Sequence, residues 1–258
     1  MHEYAGLTAA SPAIYIPPSY SSTTQTLNSD NASLLPPSAI KTLQEQVSCL
    51  LYYARGVDAT ILPAVNHIAS IQSQPTVMDR LLQYCARFPN NALVFTACGM
   101  RLFLQSDSCL SRPKARSVAG GIFYLGNNDQ QTTINGQCLT ISAIIPVVVA
   151  SVSEAECAAV FMNAKEGAAI RAILDNLGHS QPTTDILCDN MCAVGHASDT
   201  DTPKKTKFID MQFHWIRDRV RQRQFNVTWR QGAYNLANFF TKALPVHLHS
   251  AVDVDTDP

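Results

Sequence analysis

The hydrophobic period of this chain changes once, near Ala97, and that break divides it into a helical segment and an α/β one. Before the break, IKTLQEQVSCLLYYARG sets Ile40, Leu43, Val47, Leu50 and Leu51 at helical spacing, with Ser38 as the expected N-cap and Gly56 as the close. ILPAVNHIASIQSQ, with Pro63 in its first turn, and MDRLLQYCARF, ending before Pro89-Asn90, predict two more helices. After the break, MRLFLQSD alternates and ends on Asp107, SVAGGIFYLG reads as a second strand followed by the turn GNND, and CLTISAIIPVVVAS as a third. A long helix is expected from about Ser151 to Leu177, with Gly178 at its C′ position. The short buried strand DILCD follows, then FIDMQFHWIRDRVRQRQ, an amphipathic helix with Ile209, Phe213, Ile216 and Val220 on one stripe. FNVTWR is a last strand and YNLANFFTKAL a last short helix. This order predicts an α/β unit: a mixed sheet of about five strands flanked by helices, preceded by a small helical module.

Residues 1–37 are rich in Ser, Thr, Pro and Ala without a sustained period, and read as a disordered or extended linker. The helical module is expected over residues 38–96, the α/β domain over 97–246, and a flexible tail over 247–258. Hydrophobic residues at 46% suffice for a sizeable core, and a net charge of −1 means that any nucleic-acid footprint must be local. The eight cysteines form no CxxC pair and no zinc-spaced Cys/His cluster, so they read as free thiols used as small core residues. MHEYAGLTAASPA lacks the charged start and apolar core of a signal peptide, and IIPVVVASV is too short to span a bilayer. The expectation is a soluble intracellular protein, in cytoplasm or nucleus, with no membrane partner.

Three acids stand where the element order would bring them together. Asp107 ends the first strand, Asp189 ends DILCD, and Glu156 lies in the first turns of the long helix. Open α/β sheets hold ligands at strand C-terminal ends. Carboxylates converging there repel one another unless cations neutralise them, and Mg²⁺ suits such hard oxygen ligands. Each acid also has a structural reading. Asp107 could simply end a strand, and Asp189-Asn190 could start a helix. Ser151 with Glu154 spells a capping box, as does Ser153 with Glu156, and Glu154 is assigned to the cap.

Several ordered stretches carry a resemblance. SDSCLSRPKARSVAGGIFYL has an acid-terminated strand, a basic loop and a glycine-containing strand; SVSEAECAA resembles a Ser-x-x-Glu-Ala-Glu-Tyr signature, with Cys157 in place of tyrosine; LCDNMCAV resembles a strand-end Asp-Asn motif. KKTKFIDMQFHWIRDRV and NLANFFTKALP resemble two closing signatures. Together they resemble the ribonuclease H domain of copia-type retrotransposon polyproteins, and CLLYYARGVDATILPAVNHIASIQSQPT is similar to the thumb and connection that precede it. No Tyr-x-Asp-Asp sequence occurs, so the chain looks like a fragment whose partner would be the missing polymerase portion. The resemblance implies a ribonuclease H-like fold and metal-dependent endonucleolytic hydrolysis of the RNA strand of RNA–DNA hybrids. It implies Asp107, Glu156 and Asp189 as ligands of two Mg²⁺ ions, with Mn²⁺ as a substitute. Asn238 stands where the last signature carries a fourth catalytic acid, which implies weakened metal binding and a slow or dead nuclease. The competing expectation is a non-enzymatic remnant that at most binds nucleic acid. An integrase of the same fold would use a different acid spacing and a zinc-binding domain, and neither occurs.

Basic residues concentrate from Asp201 to Pro245, nine against three acids: Lys204, Lys205, Lys207, Arg217, Arg219, Arg221, Arg223, Arg230 and Lys242. Arg112, Lys114 and Arg116 form a second patch after Asp107. Both are expected to neutralise phosphates, although a solvated helix face would look the same. His214 is expected to be packed or hydrogen-bonded on its helix, and Trp215 and Trp229 to be core residues rather than stacking platforms.

Overall fold

A computed structural model describes residues 9–15, 35–71, 75–110, 117–127, 135–198 and 210–245. The chain divides into two compact units, Met1–Leu93 with Lys242–Pro258, and Val94–Thr241.

In the first unit, α1 (Pro37–Gly56), a 3-10 turn (Ala59–Ile61), α2 (Leu62–Ile71) and α3 (Pro75–Arg87) enclose Leu43, Ala54, Ile61, Val65, Ile68, Leu81 and Tyr84. Ser38 is not the cap of α1: Pro36 stands there without a side-chain bond, and Pro37, whose ring presets a helical φ, opens the helix. Buried Asp58 accepts hydrogen bonds from the Thr60 N–H (3.0 Å) and from Asn91 Nδ2 (2.8 Å). Burial and this carboxylate push the Tyr53 phenol up to about 12. The expected linker is corrected at its start, where Ala9 and Ser11 are buried and Arg80 donates to Ser11 Oγ (3.0 Å).

The second unit is the expected mixed sheet of five strands: β1 (Arg101–Cys109), β2 (Val118–Gly126), β3 (Gln137–Ile144), β4 (Thr184–Cys188) and β5 (Phe225–Trp229). Their spatial order is β3-β2-β1-β4-β5. The first three pair antiparallel, while β4 runs parallel to β1 and β5. The helices are α4 (Val152–Asn176), α5 (Met191–Ala197) and α6 (Asp210–Arg221), and α5 had no place in the expected order. β1 does not read as an alternating strand: Leu102–Ser108 are all buried, because a central strand covered on both faces has no solvent side. It also runs two residues past Asp107. β3 stops at Ile144, short of the expected IIPVVVAS, and YNLANFFTKAL forms two 3-10 turns, Gly232–Tyr234 and Leu236–Phe240, instead of an α-helix.

α4 follows its sequence signals. Ser151 Oγ accepts the Glu154 N–H (3.2 Å), Glu154 reaches back to the Ala150 N–H (2.7 Å), and Gly178 beyond the end has φ +89°. Ala155, Ala158 and Ala159 pack with Ala119, so the helix lies close to the sheet. Leu102, Leu104, Phe123, Val160, Ile186, Phe225 and Val227 form the main core. All eight cysteines are free, but of them only Cys85 and Cys188 are buried. His214 is exposed rather than packed. Trp215 meets Phe161 edge-on at 5.5 Å, whereas Trp229, expected in the core, is 51% exposed. Ile209 and part of the GNND turn lie outside the described residues. Among the described residues no helix is long and apolar enough to cross a membrane.

The Gly120-Gly121 pair lets both faces of β2 be approached. A Cβ on Gly121 would lie 2.1 Å from Asn163 Oδ1 on α4, and one on Gly120 would lie 2.6 Å from the Ala237 carbonyl. Gly121→Ala is therefore expected to destabilise the protein by about 1–3 kcal/mol in denaturant unfolding. Gly56→Ala, with nothing within 4 Å of the new methyl, should change it by less than about 0.5 kcal/mol.

Candidate active site

β1 alternates its partners rather than its exposure. Ser106 and Ser108 face α4: Asn163 Nδ2 donates to Ser106 Oγ (2.8 Å), and the Ser108 N–H and Oγ–H both donate to Glu156 Oε1 (3.0 and 2.7 Å). Gln105 and Asp107 face the 3-10 segment: Gln105 Oε1 accepts the Leu236 N–H (2.8 Å), and Asp107 Oδ2 accepts from Thr241 Oγ1. Asn235 adds a bond to the Ser106 carbonyl (2.8 Å). Glu156 is thus a core-facing group and not a cap, which removes the Ser153–Glu156 box.

Asp189 is the first residue beyond β4. The parallel register pairs Leu104 with Ile186 and Gln105 with Leu187, and two residues further it sets Asp107 level with Asp189. Asn190 caps α5, accepting the Cys192 and Ala193 N–H groups, so the helix-start reading belongs to the amide and leaves the Asp189 carboxylate for other work. Gly232 makes room for that carboxylate, since a Cβ there would lie 2.7 Å from Asp189 Oδ2.

Glu156, Cys188 and Asp189 each present a ligand atom within 4.8 Å of the others. Asp107 is not in that set. It lies close enough to act on Glu156 electrostatically, but its carboxylate is bonded to Thr241 across the strand. Two of the three expected acids therefore meet directly, and the third approaches from the other face of β1. Burial, then the Asp107 charge, then that of Asp189 push the Glu156 carboxyl up to about 8, against the pull of the Ser108 hydrogen bonds. Burial and Glu156 push the Cys188 thiol up as well, so it remains a neutral S–H, 3.8 Å from Glu156 Oε2. The oxygen donors fit a hard divalent cation, and the protonated thiol adds no competing soft ligand.

Asn238 is buried, and its Nδ2 donates to the carbonyls of Gly232 (2.8 Å) and Asn235 (3.0 Å). An ionised carboxylate, which only accepts, could not do this, so Asn238 braces its own turn. Arg112, Lys114, Arg116, Lys204, Lys205 and Lys207 lie outside the described residues. Arg217 is corrected as a phosphate-facing residue: it is buried, donates to the His196 carbonyl (2.8 Å) and lies over Phe213. Arg221, Arg223 and Arg230 are exposed. Ser108, Thr241 and Gly232 were not singled out from the sequence. Only Ser108 carried a signal, as the next residue of like parity to Ser106 on an acid-bearing strand.

No family model matches the chain. Over 98 residues it is 31% identical to the retrovirus-related Pol polyprotein from transposon TNT 1-94 of Nicotiana tabacum, a stretch that is 38% of this chain and 7% of that polyprotein. Solved structures similar to it include a ribonuclease H1 isolated from compost by a metagenomic approach (TM-score 0.41, 12% identity, 61% of this chain and 99% of that one). Another is the N-terminal ribonuclease H domain of a Mycobacterium tuberculosis protein (TM-score 0.38, 16% identity, 53% and 86%). A foamy viral protease-reverse transcriptase in complex with double-stranded DNA overlaps at a TM-score of 0.41 (9% identity, 76% and 35%). The polyprotein match bears out the retrotransposon resemblance, and the five-stranded mixed sheet with its helices bears out the expected fold class.

A pH dependence follows from Glu156. Its ordinary value is 4.5 and its folded value about 8, so its contribution to stability is complete below 4.5 and is lost as pH rises through 8. In EDTA, unfolding stability is expected to fall across that window, and excess Mg²⁺, which favours the carboxylate, is expected to flatten the fall. Glu156→Gln should show no such dependence; a metal-free wild type with the same flat profile would contradict the assignment.

Proposed function

We propose that this chain, whose α/β unit is ribonuclease H-like and similar in sequence to a retrotransposon Pol polyprotein, is a metal-dependent endonuclease that hydrolyses the RNA strand of RNA–DNA hybrids. The observation that carries the reading is the meeting of Glu156 and Asp189, with Asp107 near enough to act on Glu156. Glu156, Asp189 and Asp107 would hold the ions, Mg²⁺ or Mn²⁺ in its place. When bound, such ions neutralise the phosphodiester and lower the pKa of an attacking water. Ser108 fixes which oxygen of Glu156 faces the strand, Thr241 orients Asp107, and Gly232 keeps the Asp189 carboxylate uncrowded. Hybrid selectivity would rest on 2′-hydroxyl contacts and groove shape rather than base sequence. The substrate class is carried by the motif resemblance, as is the reading that the domain works intracellularly beside a polymerase portion of a longer polyprotein.

A second reading, an impaired remnant that at most binds nucleic acid, is favoured by Asn238. Its amide supplies no charge and is committed to two carbonyls. The full chain with a labelled hybrid separates the two. Cleavage is expected to require Mg²⁺ or Mn²⁺ and to fall by about 100-fold or more in Asp189→Asn, the scale of several kcal/mol of lost charge stabilisation. Binding without cleavage in either ion would select the remnant. Asn238→Asp should speed cleavage while costing about 1–3 kcal/mol of stability, because two carbonyls lose their donor; equal rates would show that Asn238 does not limit turnover.

A further inference from the structure

Trp229 ends β5 on the same side as Phe225 and Val227, both buried, so strand alternation alone would bury it. It is 51% exposed because the sheet ends at the Cys188–Trp229 pair and nothing described continues the core beyond it. The indole is nevertheless held in place: Nε1–H donates to the Asp189 carbonyl at 3.0 Å. One edge of the ring is thus tied to the backbone of a proposed ion-binding residue while much of the ring stays open to solvent. The next residue, exposed Arg230, donates its N–H to the Cys188 carbonyl (2.8 Å), the last bond between the two strands and one residue short of Asp189. From there the chain turns at Gly232, against Asp189 Oδ2, and presents Tyr234, 62% exposed.

We infer that Trp229 is a stacking platform for an unpaired nucleobase, at a strand end or in a single-stranded tail, next to the phosphodiester held at Asp189. An open indole is sequence-tolerant toward bases, and Arg230 beside it supplies a charge for the backbone. The inference rests on the proposed nuclease function for its choice of ligand, and it assigns to this chain's own Trp229 a role that the acid motifs do not contain. The competing role is a cap, in which Trp229 matters only through its hydrogen bond to the Asp189 carbonyl. Phenylalanine separates the two, since it keeps a stacking face and loses the N–H.

The experiment uses the full chain in EDTA with a short RNA–DNA hybrid that carries a single-stranded RNA tail, so that binding is read without turnover. In a Trp215→Phe background, the remaining Trp229 emission should be quenched as hybrid is added. Trp229→Ala should bind about 5- to 100-fold more weakly, and Trp229→Phe should stay close to wild type. Unchanged emission, or equal losses in the Ala and Phe variants, would overturn the platform. Should Trp229→Ala fail to fold, quenching and the Phe variant still decide. Ion-dependent cleavage by wild type without quenching rejects the platform and keeps the nuclease; quenching without cleavage rejects the nuclease and keeps the platform.

Discussion

Two hydrogen bonds from Ser108 to a single oxygen of Glu156 set the register between α4 and the central strand, and the site depends on that register. The same face of β1 meets α4 twice more, Ser106 at Asn163 and Leu104 against Gly167. Seven residues of helix separate Glu156 from Asn163, a repeat that returns to the same helix face, while two residues of strand separate Ser108 from Ser106. The helix therefore runs antiparallel to β1 and brings its first turns to the end of the sheet where β4 delivers Asp189. The small side chains Ala155, Ala158 and Ala159 let it lie low enough for the contacts to form.

The opposite face of β1 is organised by the 3-10 segment. Gln105, the Ser106 carbonyl and Asp107 each take one bond from it, from Leu236, Asn235 and Thr241. The Thr241 hydroxyl bonds the Asp107 carboxylate on this face, and in the proposed nuclease a cation would compete for that carboxylate from the side of Glu156 and Asp189. The bond to Thr241 satisfies a buried carboxylate at the cost of keeping it outside the closest cluster. A neutral hydroxyl holds a carboxylate less strongly than a charged partner, so it would yield to a cation more readily.

Much of this was legible beforehand. The limits of α4 followed from Ser151, Glu154 and Gly178, each of which acts locally on the backbone, and the strand count followed from runs bounded by turn residues. The acids were legible as a set because they recur within ordered motifs. The partition of those acids between two faces was not legible, since a strand buried on both sides shows no alternation to read. The exposure of Trp229 was hidden for a related reason: its parity says core, and only the sheet boundary says otherwise. Ser38 misled because a proline one residue earlier starts a helix without any side-chain cap. Asn238 was visible as a departure from a motif, but its two carbonyl partners come from a 3-10 turn that the helical reading of YNLANFFTKAL did not contain.

That departure has an energetic side. The region already holds Asp107, Glu156 and Asp189, and burial, together with the charges of the other two acids, pushes the Glu156 carboxyl up to about 8. Thr241, whose hydroxyl donates to Asp107 and to the backbone carbonyl of Asn238 (3.2 Å), links that region to the turn that carries Asn238. An amide at position 238 brings no further negative charge and makes two hydrogen bonds to its own turn, which a carboxylate could not donate. In the proposed nuclease the two demands would oppose each other at this residue, since like charge that serves an ion costs stability where none is bound.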